Sequence, residues 1–277
     1  MLILLLASLA RAAECTIPDL AVSAFPPRPS DAASGTAFAA RVCGLSDRER
    51  NAATRDELLA GNIPAFLRDL VPVTLAGPAE GSVITLFVTR DYLSIGGDDD
   101  FLPVPLDFGA ASEVARALGY GLPTRKIVDA VYAAAALRLD PAPLPAGPEM
   151  RSVPYILESR DRIAEERGAS PLSALVAGTK KDVVLSPRLL GQPDREAIYG
   201  WHRSDGRPIQ PLSTVHGVHY ADYSHGIRLV SDVVYVDGVA RNYFDLLADP
   251  LLAACLSDEG PIPEARAMME TAAAAGG

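Results

Sequence analysis

Apolar and polar positions change period several times along the chain, and each change marks an element. Ser46 and Glu49 form an S-x-x-E capping box, so a helix is predicted over 47–60, ended by Gly61-Asn62. Residues 63–70 suggest a second short helix. Three β-branched or aromatic runs follow at 71–75, 82–89 and 92–95, separated by Gly-Pro and Gly-Gly turns. Apolar spacings of three and four predict helices over 110–118 and 124–137, with Pro123 at the start of the second. A charged helix is expected over 154–167, then a further helical turn over 171–176. Strand patterns resume at 182–186, 196–202 and 227–236, and Asp205-Gly206 marks a hairpin after the second. Residues 242–247 and 251–256 read as helices, and 261–277 as a disordered tail. Hairpins mixed with flanking helices predict an α+β fold, with an antiparallel β-sheet core in the C-terminal half.

The stretch Asp140-Pro-Ala-Pro-Leu-Pro-Ala-Gly-Pro148 is the clearest linker. A linker over 140–150 either divides an N-terminal α/β lobe, 14–139, from a C-terminal β-rich lobe, 151–260, or crosses one face of a single domain. Residues 14–35, rich in Pro, Ser and Ala, read as an extended tail. Leu2 to Leu9 form an apolar run followed by Ala10-Arg11-Ala12, a small-x-small cleavage pattern. The run is shorter than the ~20 residues a bilayer needs. A signal peptide over 1–13 is therefore expected, with a secreted or periplasmic mature protein and no membrane attachment after cleavage.

Composition narrows the function classes. The chain has 277 residues and a formal charge of -10, which disfavours a nucleic-acid partner. Three of its 25 basic residues are lysines, Lys126, Lys180 and Lys181; the rest are arginines. Of Cys15, Cys43 and Cys255, the first two make the simplest disulfide, and none lies beside a His or in a CxxC. The acidic stretch 96–100 lacks calcium-loop spacing and reads as a solvated turn.

The candidate chemistry lies between Lys180 and Arg228. All four histidines, His202, His216, His219 and His225, are here, with the only tryptophan, Trp201, and with Tyr199, Tyr220 and Tyr223. Imidazole gives and takes protons near neutral pH, and a carboxylate can orient it. His216, His225, Asp222 and His202 are therefore the candidate acid/base groups. Ser224 is a candidate nucleophile, but strand alternation turns it away from His225, so His216 or His202 would have to activate it. Lys181, Asp182, Trp201, Tyr223 and Arg228 are candidate substrate contacts, Arg228 through a bidentate grip on a carboxylate. The recurrence of His216, His219, Asp222 and His225 every three residues leaves zinc or another divalent ion open, without a specific metal motif. No cofactor is expected otherwise.

The segment Ser224-His225-Gly226-Ile227-Arg228-Leu229 resembles the signature of the L,D-transpeptidases of bacterial peptidoglycan, S-H-G-C-x-R, which an earlier His-Gly precedes. His216-Gly217 resembles that earlier pair, and 182–213 has the rhythm of their opening strands. The family's cysteine is absent, since Ile227 directly follows Gly226, and the His-Gly pair lies closer than in that family. The resemblance covers about 55 residues and implies a sheet presenting His225 and Arg228 to a peptide-like substrate, without a thioester. The rest of the chain has the look of an exported bacterial protein.

The expected function is a secreted hydrolase of a cell-envelope or extracellular polymer, a peptidoglycan peptide or a glycan. Two alternatives stay open. One is a metal-dependent hydrolase using the histidines; the other is a binding module with Trp201, Tyr220 and Tyr223 as a sugar-stacking surface.

Overall fold

A computed structural model describes residues 25–276. The signal-peptide segment, Cys15 with its expected bridge to Cys43, and the start of the extended tail lie outside the described residues.

The fold is α+β, with antiparallel pairing dominant. Local signals set the helix starts. Ser46 accepts from the Glu49 backbone nitrogen, and Glu49 accepts from that of Ser46, closing the capping box on helix Asp47–Leu59. Gly61 ends the region at φ +86°, a conformation open to glycine. The hydroxyl of Thr124 caps helix Arg125–Ala134, and the Asp107 carboxylate caps helix Phe108–Ala117.

The larger sheet is built around strand Val83–Val88. One of its edges pairs with Val71–Ala76, and the other takes Val233–Val236 and then Val230–Ser231, all antiparallel. Chain from both sides of the linker therefore shares one sheet, and one apolar core runs through it. Residues from both of the expected lobes thus contribute to the same sheet. Residues 140–150 cross one face of the molecule, where Leu144 is buried and its nitrogen donates to the Tyr223 hydroxyl at 2.6 Å.

The chain end also differs from expectation. Instead of a disordered tail, helix Ala265–Gly276 packs along Phe108–Ala117 and buries Ala265, Met269 and Ala272. Those three positions repeat at four and three, a stripe that small alanines conceal in a hydropathy pattern. The turn of helix expected at 171–176 is instead a turn leading into strand Val176–Ala177. The long strand expected at 227–236 breaks at Asp232 into two.

The second sheet carries the candidate chemistry. Its order is Pro208–Ser213, Ile198–His202, Lys181–Val183, His225–Gly226. The first two form the hairpin turned by Asp205-Gly206. Lys181–Val183 is antiparallel to Ile198–His202 and parallel to His225–Gly226, with His225 opposite Lys181.

Candidate active site

The turn before His225 fixes its surroundings. Asp222 accepts from the backbone and hydroxyl of Ser224, and its carbonyl accepts from the His225 nitrogen at 2.9 Å. This Asx turn folds the Asp222 carboxylate back on the ring three residues ahead of it. Nδ1 of His225 lies 3.3 Å from Asp222 Oδ1, and Nε2 lies 2.9 Å from Glu196 Oε1. Imidazole and both carboxylates are buried. Burial alone would lower the His225 pKa, but the charge of Glu196 and the hydrogen bonds of Asp222 and Glu196 outweigh it and raise it to about 9. Burial presses the other way on Asp222, yet the bonds and charges of His225, Lys181 and Ser224 hold its carboxyl well below the usual range. The two carboxylates thus favour the protonated ring, while its Nδ1 also lies 3.2 Å from the Asp222 backbone nitrogen.

Gly226 permits this packing. A Cβ there would lie 2.5 Å from the Tyr92 ring and 2.7 Å from the Lys180 Cβ.

A half-buried layer covers the centre. His216 stacks on Tyr220 with ring centroids 4.2 Å apart and planes within 4°, and the His216 centroid is 6.1 Å from that of His225. The Tyr220 hydroxyl donates to Asp222 Oδ2 at 3.0 Å. Lys181 Nζ lies 4.0 Å from the same carboxylate and 5.3 Å from the Trp201 ring centroid. Burial and the positive charges of His225 and Lys181 lower the His216 pKa, so its ring is neutral near pH 7. Trp201 sits at φ +58°, a strained backbone for a bulky residue. Next to this layer is a cavity of about 300 Å³ whose walls include His219, Ala221, Asp107 and Arg50 over an apolar floor of Phe38, Val104 and Ile156. Arg151 joins the two, pairing with Asp47 of the cavity wall at 2.7 Å and lying over the Tyr220 ring.

No family model, curated protein or solved structure matches this chain.

The other expected residues take different places. His202 lies outside the His225 centre, with Nε2 2.9 Å from Asp129 Oδ1 and its ring stacked on Tyr132. His219 is exposed, 3.7 Å from Asp107. Ser224 is buried and donates to Asp222 rather than to an imidazole, so its oxygen is not placed for attack. Arg228 is fully buried, donating to the carbonyls of Thr89 and Val176 at 2.6 and 2.7 Å, which leaves no bidentate face for a substrate. Asp182 is buried too, accepting from Tyr92 at 3.0 Å, and burial raises its pKa to about 6. Tyr223 and Trp201 are buried, so the exposed row of rings that a sugar-stacking surface needs is not formed. Of the expected substrate contacts, only Lys181 adjoins the half-buried His216 and Tyr220, and it is itself buried.

The three-residue recurrence does not converge either. His219 turns to Asp107, and both His225 nitrogens face carboxylates. Among the described residues, no group of three or more His, Cys, Asp or Glu side chains is placed to hold a metal ion.

Sequence reasoning passed over Glu196, Asp129, Arg151 and the role of Tyr220. Glu196 carried one signal: a lone carboxylate entering an otherwise uncharged strand, Ile198–His202, that is buried on both faces.

Proposed function

We propose that this protein is a hydrolase in which His216 is the general base and Lys181 stabilises the developing oxyanion. The observation that carries the reading is the half-buried His216 ring, its pKa lowered by burial and by the charges of His225 and Lys181, set 6.1 Å from the buried His225 ring. In the reaction, His216 takes a proton from water, and the oxygen attacks the carbonyl carbon of the scissile bond. The carbonyl oxygen gathers negative charge near Lys181. The bond to the leaving group then breaks, and His216 returns its proton to that group. Tyr220 positions His216 by stacking. Asp222, Glu196 and His225 hold Tyr220 and Lys181 in place and supply a fixed positive charge beneath them. The 300 Å³ cavity offers an apolar subsite beside the reacting centre.

The substrate class in this proposal is an extracellular polymer, with a peptide of the cell envelope favoured over a glycan. Peptide hydrolysis needs one base and an oxyanion partner, whereas a glycosidase needs a facing pair of carboxylates. Asp222 and Glu196 are buried on one imidazole and cannot flank a sugar. The corresponding location is secreted or periplasmic.

The test is release of soluble peptide from purified peptidoglycan, with polysaccharides in parallel. His216→Ala should cut the rate about a hundredfold while the fold is retained. Activity should rise with pH through a His216 pKa below the ordinary 6.5 and fall as His225 loses its proton at about 9. An unchanged rate in the folded variant would remove His216 from the mechanism.

A further inference from the structure

A second cavity, of about 330 Å³, lies across the sheet strand from the site above, where no role has been assigned. Alternation along a strand turns neighbouring side chains to opposite faces. Lys181 therefore faces Asp222 and Trp201, while Lys180 lines this second cavity.

The cavity has a deep cationic end and an acidic rim. Lys180, Arg167 and Thr179 are buried at the deep end. Lys180 donates to Ser159 at 2.9 Å and to the Tyr223 carbonyl, which uses two of its three N–H groups. Arg167 pairs through one terminal nitrogen with Asp91, and its Nη1 is buried with no hydrogen-bond partner among the described residues. A guanidinium nitrogen left in this way costs free energy unless something accepts from it.

At the rim, Arg160 lies 3.8 Å from Asp100. Asp99 is exposed beside them and has no hydrogen bond or ion pair among the described residues. Once Arg167–Asp91 and Arg160–Asp100 are set aside as pairs, one cation and one anion are left over on the cavity wall, Lys180 inside and Asp99 outside. Arg160 and Arg167 mark the two ends on one helix, Val153–Arg167, and two turns of helix rise roughly 10 Å. Between the ends the wall is apolar: Phe101, Pro103, Ile163 and Leu172.

We infer that this cavity binds a short zwitterionic peptide, carboxylate inward on Arg167 and Lys180, ammonium outward on Asp99. A single amino acid holds its two charges too close together to reach both ends, whereas a dipeptide spans the distance and lays an apolar side chain on the middle wall. An inorganic anion would satisfy the inner end and leave Asp99 and the apolar wall unused. Burial lowers the Lys180 pKa to about 8, so the amine is still mostly protonated at pH 7, and a carboxylate beside it would favour the charged form further. This inference does not depend on hydrolysis at His216.

Calorimetric titration of the full chain at pH 7 tests it, with alanyl-leucine, N-acetyl-alanyl-leucine and alanyl-leucine amide as probes and inorganic phosphate as the comparison. The free dipeptide should bind most tightly. Removing the carboxylate as the amide should abolish binding, and acetylating the amine should weaken it about threefold. Asp99→Asn, at an exposed rim position, should erase the difference between the free and acetylated peptides. Ala164→Phe, exposed at the cavity mouth, should block all three probes while leaving the fold intact. His216→Ala should bind as the unaltered protein does, which separates this site from the proposed catalytic one. Equal affinity for acid and amide, tighter binding of inorganic phosphate, or no heat from any probe at millimolar concentration would overturn the inference.

Discussion

Lys180 and Lys181 are consecutive residues of one strand region, and they meet opposite environments. Lys181 keeps a carboxylate at 4.0 Å and an indole ring beside it. Lys180 is bonded only to a hydroxyl and a carbonyl, and burial lowers its pKa to about 8. His225, opposite Lys181 in the sheet, shows the reverse shift, raised to about 9 because carboxylates enclose it. One side of the strand thus stores paired charge and the other an ammonium without an ion pair. Burial by itself does not decide whether a charge is tolerated; the carboxylates within reach decide it.

The largest way to break this contrast is His225→Ala. It would leave Glu196 buried without its cation and should cost about 4 kcal/mol in denaturant unfolding at pH 7. A loss under about 1 kcal/mol would mean that the centre is not charged. Gly226→Ala should cost about 3 kcal/mol, since the added carbon meets the Tyr92 ring on one side and the Lys180 stem on the other; the same unfolding measurement checks it.

The two charged groups should also bend stability in opposite directions with pH. The folded pKa of His225 is above its ordinary value, so its contribution is full below about 6.5 and is lost as pH rises through about 9. The folded pKa of Lys180 is below its ordinary value, so the unfolded chain holds more protons between about 8 and 10.5, and stability rises with pH there. Lys180→Met should remove that rising limb and add about 2 kcal/mol at pH 7. Melting temperatures from pH 6 to pH 10 test both signs. Smallest is Lys181→Met, expected to cost about 1 kcal/mol of stability, because its carboxylate partner is 4.0 Å away and keeps its bonds to Ser224 and Tyr220.

Much of the fold could be read from local text. The Ser46 box, the Asp205-Gly206 hairpin and the α+β class all follow from rules acting over a few residues. The cluster between Lys180 and Arg228 was visible as composition, but its internal geometry was not. Strand alternation says that Lys180 and Lys181 part company without saying which side is which. Glu196 lies 29 residues from His225, and Asp129 lies 73 from His202, so no spacing rule links them. Arg228 looked like a ligand grip because its type suits that task, yet carbonyls of distant strands claimed it first. The closing helix was hidden because alanine contributes little hydrophobicity while filling a narrow interface.

The pairing of Val83–Val88 with Val230–Ser231 and Val233–Val236 constrains how the molecule is made. An early-synthesised strand must wait, one edge bare, until partners about 140 residues further along have left the ribosome. Closing so distant a partnership is slow. Completion of the native sheet is thus deferred until residues 230–242 have been made, and a nascent chain cut short before them would display a sticky, half-made sheet to chaperones and proteases.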